Sequence, residues 1–425
     1  MAEAESSRTG SFWDAFKSPR LALMVGLGFA SGLPNPLTGS TLTAWLATLE
    51  VDVGTIGLFG VVHLPYNLKF LWAPLLDRYS LPFLTHRRAW MALMQLLILV
   101  GIGAMAFLDP LNGPEYVVAL ALIVTVLSAT QDIAVDAYRT ELLPVQERAS
   151  GTAIWVAAYR AAMIVAGAFA LILSEWVPWS WVYLLLASLM LVGLGTTLVA
   201  PAPEVATRPP TNLKQAVVEP LKEFLSRRGA WAFLGVILLY RVGDIVAGGL
   251  QMPFLLNEMG FSRAEVGAVL KGLGLAASIV GALIGGGLVS RIGLRRSLIL
   301  FGIAQGVANG LYAWLAVVGK SHALMIGSIV TDNLMNGMGT AAFIALLMTL
   351  CDKRFTAFQF ALFSALMTVP GRLFALVSGY IVAEVHWPVF FLITIALAAP
   401  AIILLILVPI PEPREPVELQ PEAPA

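Results

Sequence analysis

The sequence predicts an all-α integral membrane protein, with twelve transmembrane helices in two pseudo-symmetric six-helix bundles. Three observations carry this: a succession of long apolar runs, a charge asymmetry between alternate loops, and patterns that recur in the two halves of the chain. The 425 residues are 58% hydrophobic and 12% charged, against about 25% charged in an ordinary soluble domain. Formal net charge is zero, so the composition as a whole points to no nucleic acid and to no strongly acidic or basic partner. Cys351 is the single cysteine, which excludes an internal disulfide and a cysteine-based metal cluster. No metal or cofactor is expected.

A bilayer-crossing helix needs about 20 mostly apolar residues. The first run, 21–49, contains no charge. It is too long for the apolar core of a signal peptide and no cleavage site follows, so it reads as an uncleaved first helix. Further runs occur near 54–76, 89–108, 115–143, 149–174 and 178–200, and then near 230–256, 264–289, 297–318, 322–350, 356–383 and 387–408. With the N-terminus inside, the inward short loops hold Arg78, Arg87, Arg88, Arg148, Arg291, Arg295, Arg296, Lys353 and Arg354. The middle loop adds Arg208, Lys214, Lys222, Arg227 and Arg228. The outward loops hold only Arg263 and Lys320, beside Glu50, Asp52, Asp109, Glu115, Glu175, Glu258 and Glu384. Such a bias places both termini in the cytoplasm.

The organisation follows: an N-terminal bundle over 1–200, a linker over 201–229, a C-terminal bundle over 230–408, and a Pro- and Glu-rich tail over 409–425 expected to be disordered. The linker begins "PAPEVATRPP" and turns amphipathic, with Leu213, Val217, Leu221 and Phe224 at helical spacing. It reads as a helix lying along the membrane interface, kinked by Pro220. Trp176, Trp179, Trp181 and Trp387 fall at outer helix ends and read as interfacial anchors. The glycines at 281–285 and 302–306 read as close helix packing.

Charged groups within the apolar runs are the functional candidates. Four acids (Asp132, Asp136, Asp244, Asp332) and five bases (Lys69, Arg160, Arg241, Lys271, Arg372) are nearly balanced. At about 3 kcal/mol each, leaving them all unpaired in lipid would cost roughly 27 kcal/mol, more than a protein's whole stability. They are therefore expected to face one another or water. Asp132 and Asp136 share one face of the fourth helix, being four residues apart. Asp136 lies a turn nearer the cytoplasm, where Arg139 offers a structural partner. Tyr240 and Asp244 share a face of the seventh helix, Asp332 and Asn333 form a polar patch on the tenth, and Tyr66 and Lys69 lie three apart on the second. His63 continues that spacing and reads as a satisfied interior histidine. Asp132, with Asp244 and Asp136 behind it, is the candidate proton carrier.

Enzyme signatures are poor. No histidine is followed by glutamate, no Gly-x-Ser-x-Gly is present, and Gly319-Lys320-Ser321 has Trp314 where a phosphate loop needs glycine. The segments "VDAY" and "VGDI" would suit an intramembrane protease only if Val242 were glycine. An intramembrane enzyme or a receptor remains the alternative of another class, separable by counterflow in sealed vesicles.

The halves repeat. "APLLDRYSLPFLTHRR" after the second run and "GGLVSRIGLRR" after the eighth both join Asp/Ser–Arg to a later Arg–Arg pair. Arg160 precedes Gly167 by seven residues, as Arg372 precedes Gly379. Gly286, Ser290, Arg291, Gly293, Arg295 and Arg296 resemble the loop signature of the major facilitator superfamily, with serine in place of its aspartate. The first loop keeps Asp77 but is longer. Asp77, Arg78, Arg291 and Arg295 are thus expected to form cytoplasmic gating loops.

The stretches "GFASGLPNPLTGSTLTAWL", "LKFLWAPLLDRY", "SATQDIAVDAYR", "ERASGTAIWVAAYR", "LYRVGD", "EVGAVLKGLGLAASIVGAL" and "FIALLMTLCDK" run along nearly the whole chain and resemble the AmpG-type anhydromuropeptide permeases. That resemblance implies a monomeric, multi-pass importer of the bacterial inner membrane, bringing N-acetylglucosaminyl-anhydro-N-acetylmuramic acid and its peptide derivatives into the cytoplasm with protons, for cell-wall recycling. It ties Ala129 and Gln131 to transport and sets Lys69, Asp132, Tyr240, Asp244 and Lys271 in matching motifs. Tyr66, Arg160, Arg372, Asp332 and Asn333 complete the expected substrate lining. Better-known members can carry two additional C-terminal helices, which this sequence lacks after its twelfth run. Relatives linked to acetyl-coenzyme A leave another anionic solute as the runner-up.

Overall fold

In a bilayer every backbone N–H and C=O must be satisfied within the protein, which helices and closed barrels achieve; this chain uses helices. The computed structural model describes residues 18–49, 62–111, 113–203, 212–408 and 410. Eleven helices among them are long and apolar enough to span a membrane. They are α1 (Pro19–Leu46), α3 (His86–Met105), α4 (Pro114–Leu142), α5 (Val145–Ser174), α6 (Trp179–Val199), α7 (Ala230–Glu258), α8 (Glu265–Ile292), α9 (Leu294–Val318), α10 (His322–Leu350), and a last pair divided below. The expected second span, α2, is described from Val62 onwards, as Leu64–Leu68, Lys69–Leu71 and Ala73–Arg78. Its start at 54–61 lies outside the described residues, as do Glu50, Asp52, Arg208 and the tail from 411.

Two details depart from the expected pattern. No loop separates the last two spans: a continuous stretch, Val369–Leu407, turns at His386, whose backbone (φ 61°, ψ 166°) is non-helical. We call the part from Thr356 to that turn α11 and the part from Trp387 to Leu407 α12. The linker helix, Leu213–Leu225, runs through Pro220. It buries Ala216, Pro220 and Phe224, while Leu221 is exposed, so its inward face is rotated from the one the sequence suggested. The reason is its partner. Phe224 packs on Phe363 of α11 at 4.8 Å, and the Pro220 carbonyl accepts from Gln359 Nε2 at 3.0 Å. This inward face rests on α11, where small and ring-shaped side chains fit.

The repeat is visible in packing. Trp45 and Tyr183 enclose Trp179 (6.0 and 6.4 Å between centroids), and Phe254 and Phe391 enclose Trp387 (5.0 and 6.2 Å). Trp179 and Trp387 are thus aromatic core at the starts of α6 and α12, whereas Trp176 and Trp181 are exposed as anchors would be. Gly281 would drive a Cβ into the Leu334 carbonyl, and Gly285 into Met338 Cα at 2.6 Å, so α8 and α10 touch backbone to backbone. Gly302 and Gly306 face isoleucine side chains of α12 more loosely.

The buried apolar residues form three clusters. One, with Leu42, Trp45, Ile102, Val117 and Tyr183, lies wholly within α1–α6. Another, with Phe254, Phe261, Tyr312 and Phe391, lies wholly within α7–α12. The third joins the halves at the opposite ends of the helices, bringing Leu76, Tyr138 and Leu142 together with Phe224, Phe343, Leu347 and Phe360. Among the described residues the halves therefore meet at the Arg-rich end and keep separate cores at the other.

Candidate functional site

α4 sets the site because its period brings Ser128, Asp132 and Asp136 onto one face. Asp136 is paired twice. Lys69 Nζ from α2 reaches Oδ2 at 3.3 Å, and Arg139 Nη2, one turn on, reaches Oδ1 at 2.6 Å. Arg139 is fully buried, with its guanidinium 4.2 Å from the Trp155 ring centroid and 5.9 Å from that of Phe360 in the other half. Asp132 is half-buried and its Oδ1 accepts from nothing among the described residues. Above it the Tyr66 hydroxyl donates to Ser128 Oγ at 2.9 Å, and Trp72 Nε1 donates to Thr130 Oγ1 at 3.0 Å. The two carboxylates, adjacent in sequence pattern, thus have unequal surroundings: Asp136 holds two direct ion pairs, whereas Asp132 makes none among the described residues and feels Lys69 and Arg139 only at longer range.

Ala129 and Gln131 are both fully buried. Gln131 Nε2 is 3.4 Å from Ser31 Oγ on α1, so these two residues set how α4 packs and do not line open space.

In the second half Arg241 and Asp244 pair at 3.6 Å, and Arg241 Nη1 also donates to Thr340 Oγ1 at 3.3 Å. Asp332 accepts from Gln305 Nε2 at 2.7 Å. Asn333 returns its amide to the Ile329 carbonyl of its own helix at 2.9 Å. Tyr240 is stacked on Phe343 (4.9 Å, 4°) and donates to the Leu298 carbonyl at 2.9 Å, so its hydroxyl is spent on α9 and offers nothing to a ligand in this state. Arg160, Lys271 and Arg372 make no side-chain ion pair or hydrogen bond among the described residues; Lys271 and Arg372 are exposed and Arg160 is half-buried. Arg160, on α5, lies within Coulombic reach of Arg241 across the divide between the halves. Lys271 sits on a π-helical turn, Val269–Gly274, a distortion frequent at functional sites.

The Arg-rich end carries a polar latch. The Asp77 carboxylate accepts from Arg87 Nη2 at 2.7 Å, and from the backbone N–H groups of Ala357 at 3.2 Å and Phe358 at 2.9 Å. It therefore caps the start of α11 from across the molecule, using orphan donors and the positive end of the helix dipole. Arg87 also donates to Glu141 at 2.9 Å and Thr356 at 3.0 Å, and Thr356 in turn bonds Glu141. Arg78 stands apart, 5.4 Å from the ring of Tyr79. The latch arginine is thus Arg87, in the place the sequence reading gave to Arg78. In the second loop Ser290 bonds its own Gly287 carbonyl at 2.8 Å, Arg291 is exposed, and Arg295 caps the end of α12 through the Leu405 (2.7 Å) and Ile406 (2.5 Å) carbonyls. Arg88 does the same for α6, at Thr197 (3.2 Å) and Leu198 (2.7 Å). The Arg–Arg pair after each loop was the available signal: one member caps a helix end, and in the first half the other holds the latch.

A family profile described as the Major Facilitator Superfamily matches residues 24–375 and 243–424. The chain is 47% identical over 394 residues to the anhydromuropeptide permease of Escherichia coli K12, covering 92% of this chain and 80% of that one. It is 37% identical to an uncharacterised protein of Haemophilus influenzae (91% and 93% covered). Among solved structures, the E. coli fucose:proton symporter superposes with a TM-score of 0.72 at 15% identity (91% and 98% covered). The proton:xylose symporter superposes at 0.68 and 10% (90% and 94%). With its helical fold, repeated loops and cross-half latch, the chain belongs to the Major Facilitator Superfamily, in the branch of the anhydromuropeptide permeases.

Proposed function

We propose that the protein imports anhydromuropeptides, the N-acetylglucosaminyl-anhydro-N-acetylmuramic acid disaccharide and its peptide derivatives, across the bacterial inner membrane together with protons. It works as a monomer with both termini in the cytoplasm and with the halves divided as 1–200 and 230–408. The observation that carries this reading is Arg160, half-buried with no side-chain ion pair among the described residues and within Coulombic reach of Arg241, whose own charge Asp244 offsets at 3.6 Å. A cation without a partner in a low-dielectric interior is costly, so Arg160 calls for an anion between the halves, and the peptide carboxylates of a muropeptide supply one. Kinship with a permease for such molecules sets the substrate class.

Of the three candidate proton carriers, Asp136 has its charge offset by Lys69 and Arg139, and Asp244 by Arg241. Asp132 makes no direct ion pair among the described residues, although Lys69 and Arg139 lie within Coulombic reach. In the state closed at the Arg-rich end it takes a proton from outside. When that end opens, water and the nearby Lys69 favour release to the cytoplasm, and a pKa set by alternating surroundings makes the cycle directional. The test is uptake into sealed vesicles of labelled disaccharide-anhydro muropeptide against acetyl-coenzyme A, with and without an imposed proton gradient. Gradient-stimulated uptake of the muropeptide alone is expected. Uptake of acetyl-coenzyme A alone, or muropeptide uptake indifferent to the gradient, contradicts the proposal.

A further inference from the structure

Arg160 on α5 lies within Coulombic reach of Arg241 across the divide between the halves and makes no side-chain ion pair among the described residues. Beside it, α2, α4 and α5 offer neutral rings and hydroxyls around Asp132. Tyr66 is stacked on His63 (6.1 Å, 22°) and bonded to Ser128. Tyr159 leans on Trp155 (5.2 Å, 35°), and Trp155 is itself held by the guanidinium of Arg139 at 4.2 Å. That stack starts from a fully buried cation and ends on a half-buried ring, so it presents Tyr159 as a fixed surface. The Tyr159 hydroxyl makes no hydrogen bond among the described residues. Tyr66 and Tyr159 both lie within Coulombic reach of Asp132, whose Oδ1 lacks a donor.

A pyranose ring has a C–H face that packs on aromatic carbon and a rim of hydroxyl and acetamido groups that must be hydrogen-bonded once out of water. A carboxylate needs cations. We propose that Tyr159, with Tyr66, forms the subsite for the neutral pyranose rings, with Asp132 Oδ1 and the Tyr159 hydroxyl bonding the rim, and that the peptide carboxylates lie towards Arg160 and, across the divide, Arg241. Tyr159 and Arg160 are consecutive on one helix, about 100° apart, so the junction between sugar and peptide falls at that turn. This assignment rests on the muropeptide reading above.

The experiment measures binding of two probes to purified protein: the bare anhydro-disaccharide, and the same disaccharide carrying a tripeptide. Tyr159→Ala is expected to weaken both by on the order of tenfold or more. Tyr159→Phe, which keeps the ring and the fold, weakens both by less. Arg160→Gln weakens the peptide-bearing probe more than the bare one. If Tyr159→Ala and Tyr159→Phe both bind the bare disaccharide as tightly as the unaltered protein, the sugar subsite is elsewhere and the assignment is overturned. Binding of neither probe by the unaltered protein overturns the muropeptide reading itself, and the subsite with it.

Discussion

The two halves close on each other through two related seams that use different physics. On one side α2 meets α11 through buried polar groups: Asp77 caps α11, and Arg87 ties Asp77, Glu141 and Thr356 together. On the other, α8 meets α5, and Ser290, in the place of Asp77, bonds only its own helix. There the contact is steric. A Cβ on Gly286 would stand 2.6 Å from Ala153 Cβ, 2.9 Å from the Ala149 carbonyl and 3.1 Å from Ser150 Cα. The later glycine of that loop, Gly293, sits at φ 85°, where other residues are strained. A related loop thus serves as a hydrogen-bonded clasp in one half and as a close-packed seam in the other. Polar clasps break sharply when one partner leaves, whereas packed seams fail when volume is added.

Three substitutions sharpen that contrast. Arg87→Ala should have the largest effect, because it strands Asp77 and Glu141, and breaking a buried ion pair costs about 3–5 kcal/mol. The loss falls on the state closed at the Arg-rich end. Populations should therefore shift towards the open state, read as faster labelling of a cysteine placed at Ala361, which is buried where the halves join, in a Cys351→Ser background. Unchanged labelling would mean the clasp is not what holds the closure. Gly286→Ala should come next, costing about 1–3 kcal/mol by overpacking and shifting labelling the same way, whereas no shift would show α5 yielding without cost. The smallest effect is expected at Arg354→Ala, on the loop between α10 and α11. Burial alone would raise the Asp352 carboxyl, but hydrogen bonds from the Arg354 side chain and backbone outweigh it and hold the pKa below the usual range. A lowered folded-state pKa stabilises above the unfolded value, near 4, and that contribution fades as pH falls through the folded one. The pair is largely solvent-facing on the arginine side, so the variant should lose no more than about 1 kcal/mol at neutral pH and show a flatter fall in thermal stability below pH 4.

Much of this was legible in the sequence, because lipid imposes a long apolar run for each span and a charge bias for each loop. Asp77 and the Arg–Arg pairs stood out through the loop pattern that recurs in both halves. What the chain order hid were partners far away in it: Thr356 meets Arg87 across 269 positions and Glu141 across 215. Helical period correctly grouped Asp132 with Asp136, yet which of them two cations would claim depends on reach between helices. Tyr240 shows the same limit, since register placed it beside Asp244 but its hydroxyl found a carbonyl on α9. The linker's buried face was misjudged because side-chain size, not hydropathy alone, decides what fits against α11.

The central claim is that the open carboxylate, Asp132, carries the coupling proton. Asparagine keeps its shape and cannot release a proton, so Asp132→Asn in sealed vesicles is the direct measurement. Gradient-driven accumulation of labelled anhydromuropeptide should disappear while exchange of labelled for unlabelled substrate across the membrane persists in part. Full accumulation by that variant would contradict the account and move the coupling site to Asp244.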